Sequence, residues 1–216
     1  MIRQRIFAFL MLALFAVSSM TAAKDLEIKN MNAQLPVDQN IIIGELDNGL
    51  TYYIKENSKP EDRALFQILV YAGSIQEDED QKGLAHFLEH MCFNGTESFP
   101  KNELVDFLES TGMRFGADIN ASTGFERTLY FVEVPTDDPK IMDNGMKVIE
   151  EWAHKVSLDP EEIEKERGVI MEEWRVYKGA NERVSYEHYP YIFHDSKYAD
   201  RLPIGDTAII LHAERD

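Results

Sequence analysis

The fold class this 216-residue sequence predicts is α+β, a mainly antiparallel sheet with helices packed on one face. Three observations carry it. Residues 44–57, GELDNGLTYYIKEN, alternate strand, Asp-Asn-Gly turn and strand in the manner of a hairpin. Residues 64–74, ALFQILVYAGS, are a continuous apolar run of strand length, and 128–134 concentrate aromatic and β-branched residues. The intervening and following stretches repeat apolar residues at three and four, the helical period.

Taken in order, the chain opens with the pattern of an export signal. Arg3 and Arg5 precede an apolar run from Ile6 to Val17, and SSMTAAKD then offers Thr21 and Ala23 to a cleavage site. The run is shorter than the roughly 20 residues of a membrane span, so no stable span is expected after cleavage. No cysteine follows it, which argues against a lipoprotein. Residues 1–23 are therefore a signal peptide, 24–40 a flexible polar lead-in, and 41–216 one folded domain. The destination is extracytoplasmic, which for a bacterial chain is the periplasm. Removing Arg3 and Arg5 takes the net charge from −17 to −19. Such acidity excludes nucleic acid as a partner, since phosphate contacts need clustered Lys and Arg. Cys92 is the only cysteine, so no intrachain disulfide is available.

After the apolar strand, Gly73-Ser74 and an acidic loop at 76–80 lead into helical spacing at Leu84, Phe87, Leu88 and Met91. Pro100 opens a second helix with Leu104, Phe107 and Leu108 on its apolar face, and Thr111-Gly112 ends it. Residues 113–135 return to extended character. From Pro139, Ile141, Met142, Met146, Ile149, Trp152 and Ala153 mark a third helix. Asp159-Pro160-Glu161-Glu162 is a helix start, with a capping acid and a first-turn proline, and that helix runs to about Tyr177. The last stretch, RLPIGDTAIILHAERD, begins an apolar helix and stops without a turn residue, as a fragment of a longer reading frame would.

The chemistry begins at residues 86–90, HFLEH. Successive helical residues advance by about 100°, so His86, Glu89 and His90 project from one face. Two imidazoles so placed can hold a zinc ion, and the glutamate beside them can take a proton from a water on the metal. The order is the inverse of the commoner His-Glu-x-x-His pattern and occurs among zinc peptidases. A solvated polar face would carry the same residues, so a third ligand decides between the two. The Asp159-capped helix offers Glu162, Glu166 and Glu173 on one stripe with Val169 and Ile170, whereas Glu161, Glu164 and Glu172 are ordinary surface acids. Spacing alone leaves Glu166 and Glu173 both open as ligand. Cys92, about 200° round from His90, is expected to be a packed thiol.

HFLEH, then NASTGFERTLYF, then EIEKERGVIMEEWR, in that order, resemble the pitrilysin/insulinase family of zinc metallopeptidases, which includes the mitochondrial processing peptidases. HFLEHMCFNGT and RLPIG are similar in wording to its exported bacterial members. The resemblance covers nearly all of the chain from about Ile43. It implies a zinc endopeptidase holding one Zn²⁺ ion on His86, His90 and a downstream glutamate, with Glu89 as catalytic base. Family sequences place an acid seven residues before the ligand, so the resemblance makes Glu173 the ligand and Glu166 a supporting acid of the catalytic site. It also makes Asn120, Ala121, Ser122 and Thr123 an edge strand that binds peptide backbone by strand addition. Family members close a chamber from two homologous halves. This chain matches the first, which implies a C-terminal half or partner subunit and leaves an inactive, peptide-binding half as the alternative. A remoter alternative, an S-ribosylhomocysteinase, uses a similar helix but needs a cysteine as third ligand in a Gly-Cys-Arg context that the sequence lacks.

Overall fold

The computed structural model describes residues 37–101 and 103–214; the export signal and residues 24–36 of the lead-in lie outside them. The chain divides into two compact units, one ending at Asn57 and the other beginning at Ser58. In the first, β1 (Ile41–Glu45) and β2 (Thr51–Lys55) pair antiparallel, with Glu45 opposite Thr51. Gly49 takes the left-handed φ of 87° that the turn requires, and Asn48 Oδ1 accepts from the Leu50 amide at 3.1 Å. The last residues of the lead-in form a local turn. Asp38 accepts from the Asn40 amide at 3.0 Å and from Lys55 Nζ at 2.8 Å, a local turn that a short Asp side chain builds readily.

The second unit runs β3 (Arg63–Val70), α1 (Leu84–Met91), α2 (Glu103–Ser110), β4 (Ile119–Thr123), β5 (Thr128–Pro135), α3 (Pro139–His154), α4 (Pro160–Val176), α5 (Ala180–Ile192) and α6 (Thr207–His212). Its three strands pair antiparallel in the order β3-β5-β4, so β5 is central and β4 lies at an edge. Strict alternation along β5 buries Thr128, Tyr130, Val132 and Val134 on one face. Ile119 and Ala121 of β4 continue that face, and Leu104, Leu108, Val148 and Trp152 from α2 and α3 close over it. Cys92 is buried in the same cluster, as a packed thiol, and burial pushes its pKa up to about 12. Helices thus cover one face of an antiparallel sheet, the α+β arrangement read from the sequence.

Both long helices start where acid-proline pairs stand. Asp138 accepts from the Lys140 amide at 2.9 Å and Asp159 from the Glu161 amide at 2.8 Å, with Pro139 and Pro160 in the first turns. Two boundaries differ from the sequence reading. Pro100 opens a turn and not a helix, because Lys101 sits at a φ of 55° and α2 begins at Glu103. The helix α5 is absent from the sequence reading because it carries Pro190 inside it and buries none of its residues.

Candidate metal centre

Helix α1 is only eight residues long, too short to stand alone, and three contacts hold it. Glu77, buried beneath its start, accepts from the Gly83 amide at 2.9 Å and the Ala85 amide at 2.8 Å, which gives two end amides an acceptor. Burial pushes the Glu77 carboxyl above its ordinary pKa, against those two hydrogen bonds. On one side, Phe87 and Met91 bury against Ile170 of α4 and Ile210 of α6. On a third side the helix meets β4. Leu88, which its spacing placed with the apolar residues, is exposed among the described residues.

The polar face of α1 meets α4. His86 Nε2 and His90 Nε2 stand 3.2 Å apart, and Glu173 Oε2 lies 3.6 Å from the first and 3.3 Å from the second. Ligand atoms held about 2.0–2.1 Å from a tetrahedral zinc ion are themselves about 3.3–3.4 Å apart. The three donor atoms therefore already occupy the corners that such an ion needs, and two imidazoles with one carboxylate are a donor set zinc accepts. Among the described residues this is the one group of three with that reach.

Glu166, one of the two acids that spacing left open, does not join the triangle. Its Oε1 lies 2.7 Å from His90 Nδ1, on the far side of the ring, and its Oε2 accepts from Asn94 Nδ2. A carboxylate there keeps a proton on Nδ1 and turns the Nε2 lone pair toward the triangle. Burial disfavours the charged form of His90, but Glu166 outweighs it and His90's pKa stands above the ordinary value. Burial likewise works against the Glu166 carboxylate, and the His90 and Asn94 hydrogen bonds overcome it, so its pKa is lowered. His86 has no such acid: burial first, and the charge on His90 second, pull it down to about 4. Its Nδ1 is buried without a hydrogen-bond partner among the described residues.

The rest of the α4 stripe divides by environment. Glu162 is buried but bonded to Lys165 Nζ at 2.7 Å. Ile170 packs beneath α1, while Val169, expected on the same stripe, is exposed. Glu161, Glu164 and Glu172 are exposed, as ordinary surface acids are. Arg167 reaches across to the carbonyls of Ile210 and Ala213 and secures the end of α6.

Glu89 points from α1 toward β4. It is buried, and its Oε2 accepts from Thr123 Oγ1 at 2.5 Å. Burial pushes its carboxyl up, with the Thr123 hydrogen bond and His90 opposing. Thr123 shares the helix-facing side of β4 with Ile119 and Ala121, whereas Asn120 and Ser122 project to the other side. Asn120 Oδ1 accepts from the Ala121 amide at 2.9 Å. The outer edge of β4 has no strand partner among the described residues.

A cleft of about 340 Å³ joins these parts: His86, Glu89 and Glu173 at its floor, and Ala121 to Thr123 along one wall. The rest of its lining comes from Tyr177, Tyr186 and Leu202-Pro203-Ile204, the last three within the RLPIG stretch, none of which the sequence reading assigned to the site. The last three are held by their flanks. Arg201 is buried, with Nε 3.3 Å from the Glu77 carbonyl and its guanidinium on Asp200 and Glu79. Gly205, at a φ of 79°, lies so near Gly83 that an added Cβ would stand 2.3 Å from Gly83 Cα. Asp206 N donates to the Lys82 carbonyl at 3.1 Å. The wall is thus docked on the same short helix that carries the histidines. Asn94 could have been found by extending the four-residue step from His86 through His90. The wall residues carry no local signal, because their place depends on Arg201 meeting a loop more than a hundred residues earlier.

The cysteine that an S-ribosylhomocysteinase would need as ligand is absent from this site, since Cys92 lies in the sheet core. Comparison with known proteins points to a peptidase family. The family model described as "Insulinase (Peptidase family M16)" matches residues 52–197. The probable zinc protease PqqL of Haemophilus influenzae is 39% identical over 194 residues, 90% of this chain and 21% of that protein. Its counterpart in Escherichia coli K12 is 40% identical over 173 residues, 80% of this chain and 19% of that protein. The crystal structure of the first half of the periplasmic protease PqqL from Escherichia coli superposes with a TM-score of 0.80 at 38% identity, covering 84% of this chain and 39% of that one. The chain spans about a fifth of the length of the curated relatives it matches.

Proposed function

The chain belongs to the insulinase family of peptidases, family M16, and on that premise we propose that it carries the metal site and general base of a zinc endopeptidase. The observation that supports this most is the triangle of His86, His90 and Glu173 donor atoms, with edges of 3.2, 3.3 and 3.6 Å, beside a buried carboxylate. Zinc held on that triangle would supply Lewis-acid polarisation of a peptide carbonyl and would lower the pKa of a water far below its bulk value, to about 7. His86 and His90 present Nε2 to the ion, and Glu166 keeps the His90 proton on Nδ1. Glu89 receives the proton of the attacking water on its carboxylate and delivers it to the leaving amine nitrogen, as a general base and then a general acid. A raised carboxyl pKa suits that second step. The edge strand β4, through Asn120, Ala121, Ser122 and Thr123, takes the peptide backbone alongside it by strand addition.

One zinc ion per chain, a peptide substrate and a homologous C-terminal half or partner subunit complete the reading. The fifth of the relatives' length that the chain spans supports the last of these. Arg3, Arg5 and the apolar run after them support export to the periplasm. The test is Glu89→Gln in the zinc-loaded protein carried in its complete reading frame. It keeps the zinc and the fold, and a quenched-fluorescence peptide assay should lose about 10²- to 10⁴-fold in kcat. Equal rates for Glu89→Gln and wild type would overturn the assignment of the base.

A further inference from the structure

Beyond a place on the edge strand, we infer that Thr123 is the positioning residue of the base, holding the Glu89 carboxylate through its side chain. This rests on the peptidase reading above, in which Glu89 moves the proton. Side chains of β4 alternate, and Thr123 is the last of the series Ile119, Ala121, Thr123 that faces the helices. Packing alone would be served by valine there, which has the same shape. The hydroxyl has another use. Thr123 Oγ1 lies 2.5 Å from Glu89 Oε2. Its other polar neighbour, Thr128 Oγ1, is 3.5 Å away and gives its own proton to the Ala72 carbonyl at 2.9 Å. The single proton of Thr123 therefore belongs to Glu89.

That bond fixes one carboxylate oxygen of Glu89 and leaves the lone pairs of the other to take a proton. It also links two parts of the mechanism. The backbone of Thr123 belongs to the strand that would pair with a peptide, and its side chain grips the base. A peptide seated on β4 is thereby registered against the group that activates its attacking water.

The test compares Thr123→Val and Thr123→Ser in the zinc-loaded protein within its complete reading frame, with wild type and Glu89→Gln alongside. Valine should keep one zinc per chain and the wild-type thermal midpoint, lower kcat by roughly tenfold or more, and leave KM within about twofold, a part of the effect of losing a general base outright. Serine, which keeps the donor, should restore most of kcat. A wild-type kcat for the valine variant, a change confined to KM, a loss of zinc, or a serine variant no better than valine would each overturn the inference. Failure of the peptidase reading looks different: Glu89→Gln would then match wild type whatever happens at Thr123.

Discussion

Under the sheet, Leu104, Leu108, Ile119, Val132, Val134 and Val148 are fully buried among one another. Between α1 and α4 the buried apolar residues shrink to Phe87, Met91, Ile170 and Ile210, and the rest of the seam is two imidazoles and three carboxylates. The first region is held mainly by apolar burial, which needs no charged partner and specifies no chemistry. The second gathers Glu89, Glu166 and Glu173 around His86 and His90, an excess of negative charge that a divalent cation relieves. The sheet core is therefore the part that keeps the fold, and the seam is the part that a bound divalent cation would stabilise.

The largest test of that division lies in the core. Leu108→Ala removes a fully buried side chain and should cost about 2–5 kcal/mol in denaturant unfolding. The loss relative to wild type should be the same with and without zinc, because the cavity lies outside the seam and zinc stabilises both proteins alike. A difference that shrinks at saturating zinc would mean that the two regions are coupled.

Next in size is the support of the seam. Glu166→Gln keeps the shape but removes the charge that raises His90, and should weaken zinc binding by about 10- to 100-fold. The pH dependence sharpens the point. Protons compete with zinc at His90 as pH falls through its raised pKa, whereas His86, drawn down to about 4, adds no competition until the pH nears that value. In a profile of zinc affinity against pH, the fall should therefore begin at lower pH in Glu166→Gln than in wild type, although the variant binds more weakly at high pH. An unchanged onset of that fall would mean that Glu166 does not set the His90 protonation.

The smallest effect is expected at the cleft wall. Gly205→Ala introduces a Cβ that would meet Gly83 Cα at 2.3 Å, so the segment carrying Leu202, Pro203 and Ile204 must shift. Zinc content should stay near wild type while KM rises several-fold, in line with a cost of about 1–3 kcal/mol for forcing atoms into an occupied space. Equal KM values would show that this wall does not touch the peptide.

How much of this was legible in the sequence follows from how far each contact reaches along the chain. His86, Glu89 and His90 share a face through the helical period, and Glu166 and Glu173 share another for the same reason. Periodicity could line up both acids but could not say which one faces the imidazole Nε2 atoms, because that depends on how α4 crosses α1. The resemblance to a family favoured Glu173, and the geometry puts its Oε2 in the triangle and Glu166 behind the ring. The sheet was readable from alternation, and the starts of α3 and α4 from Asp-Pro pairs. Helix α5 was not, since a helix that buries nothing writes no apolar stripe. Arg201 and the Gly83–Gly205 contact were beyond reach because each joins segments more than a hundred residues apart.

In the proposed site Glu173 completes the metal triangle while Glu166 supports it from behind His90. Metal analysis of purified Glu173→Ala and Glu166→Ala at saturating zinc tests this most directly. The expected result is one zinc per chain for wild type, close to one for Glu166→Ala with weaker affinity, and none above background for Glu173→Ala. Full zinc in Glu173→Ala together with none in Glu166→Ala would contradict it.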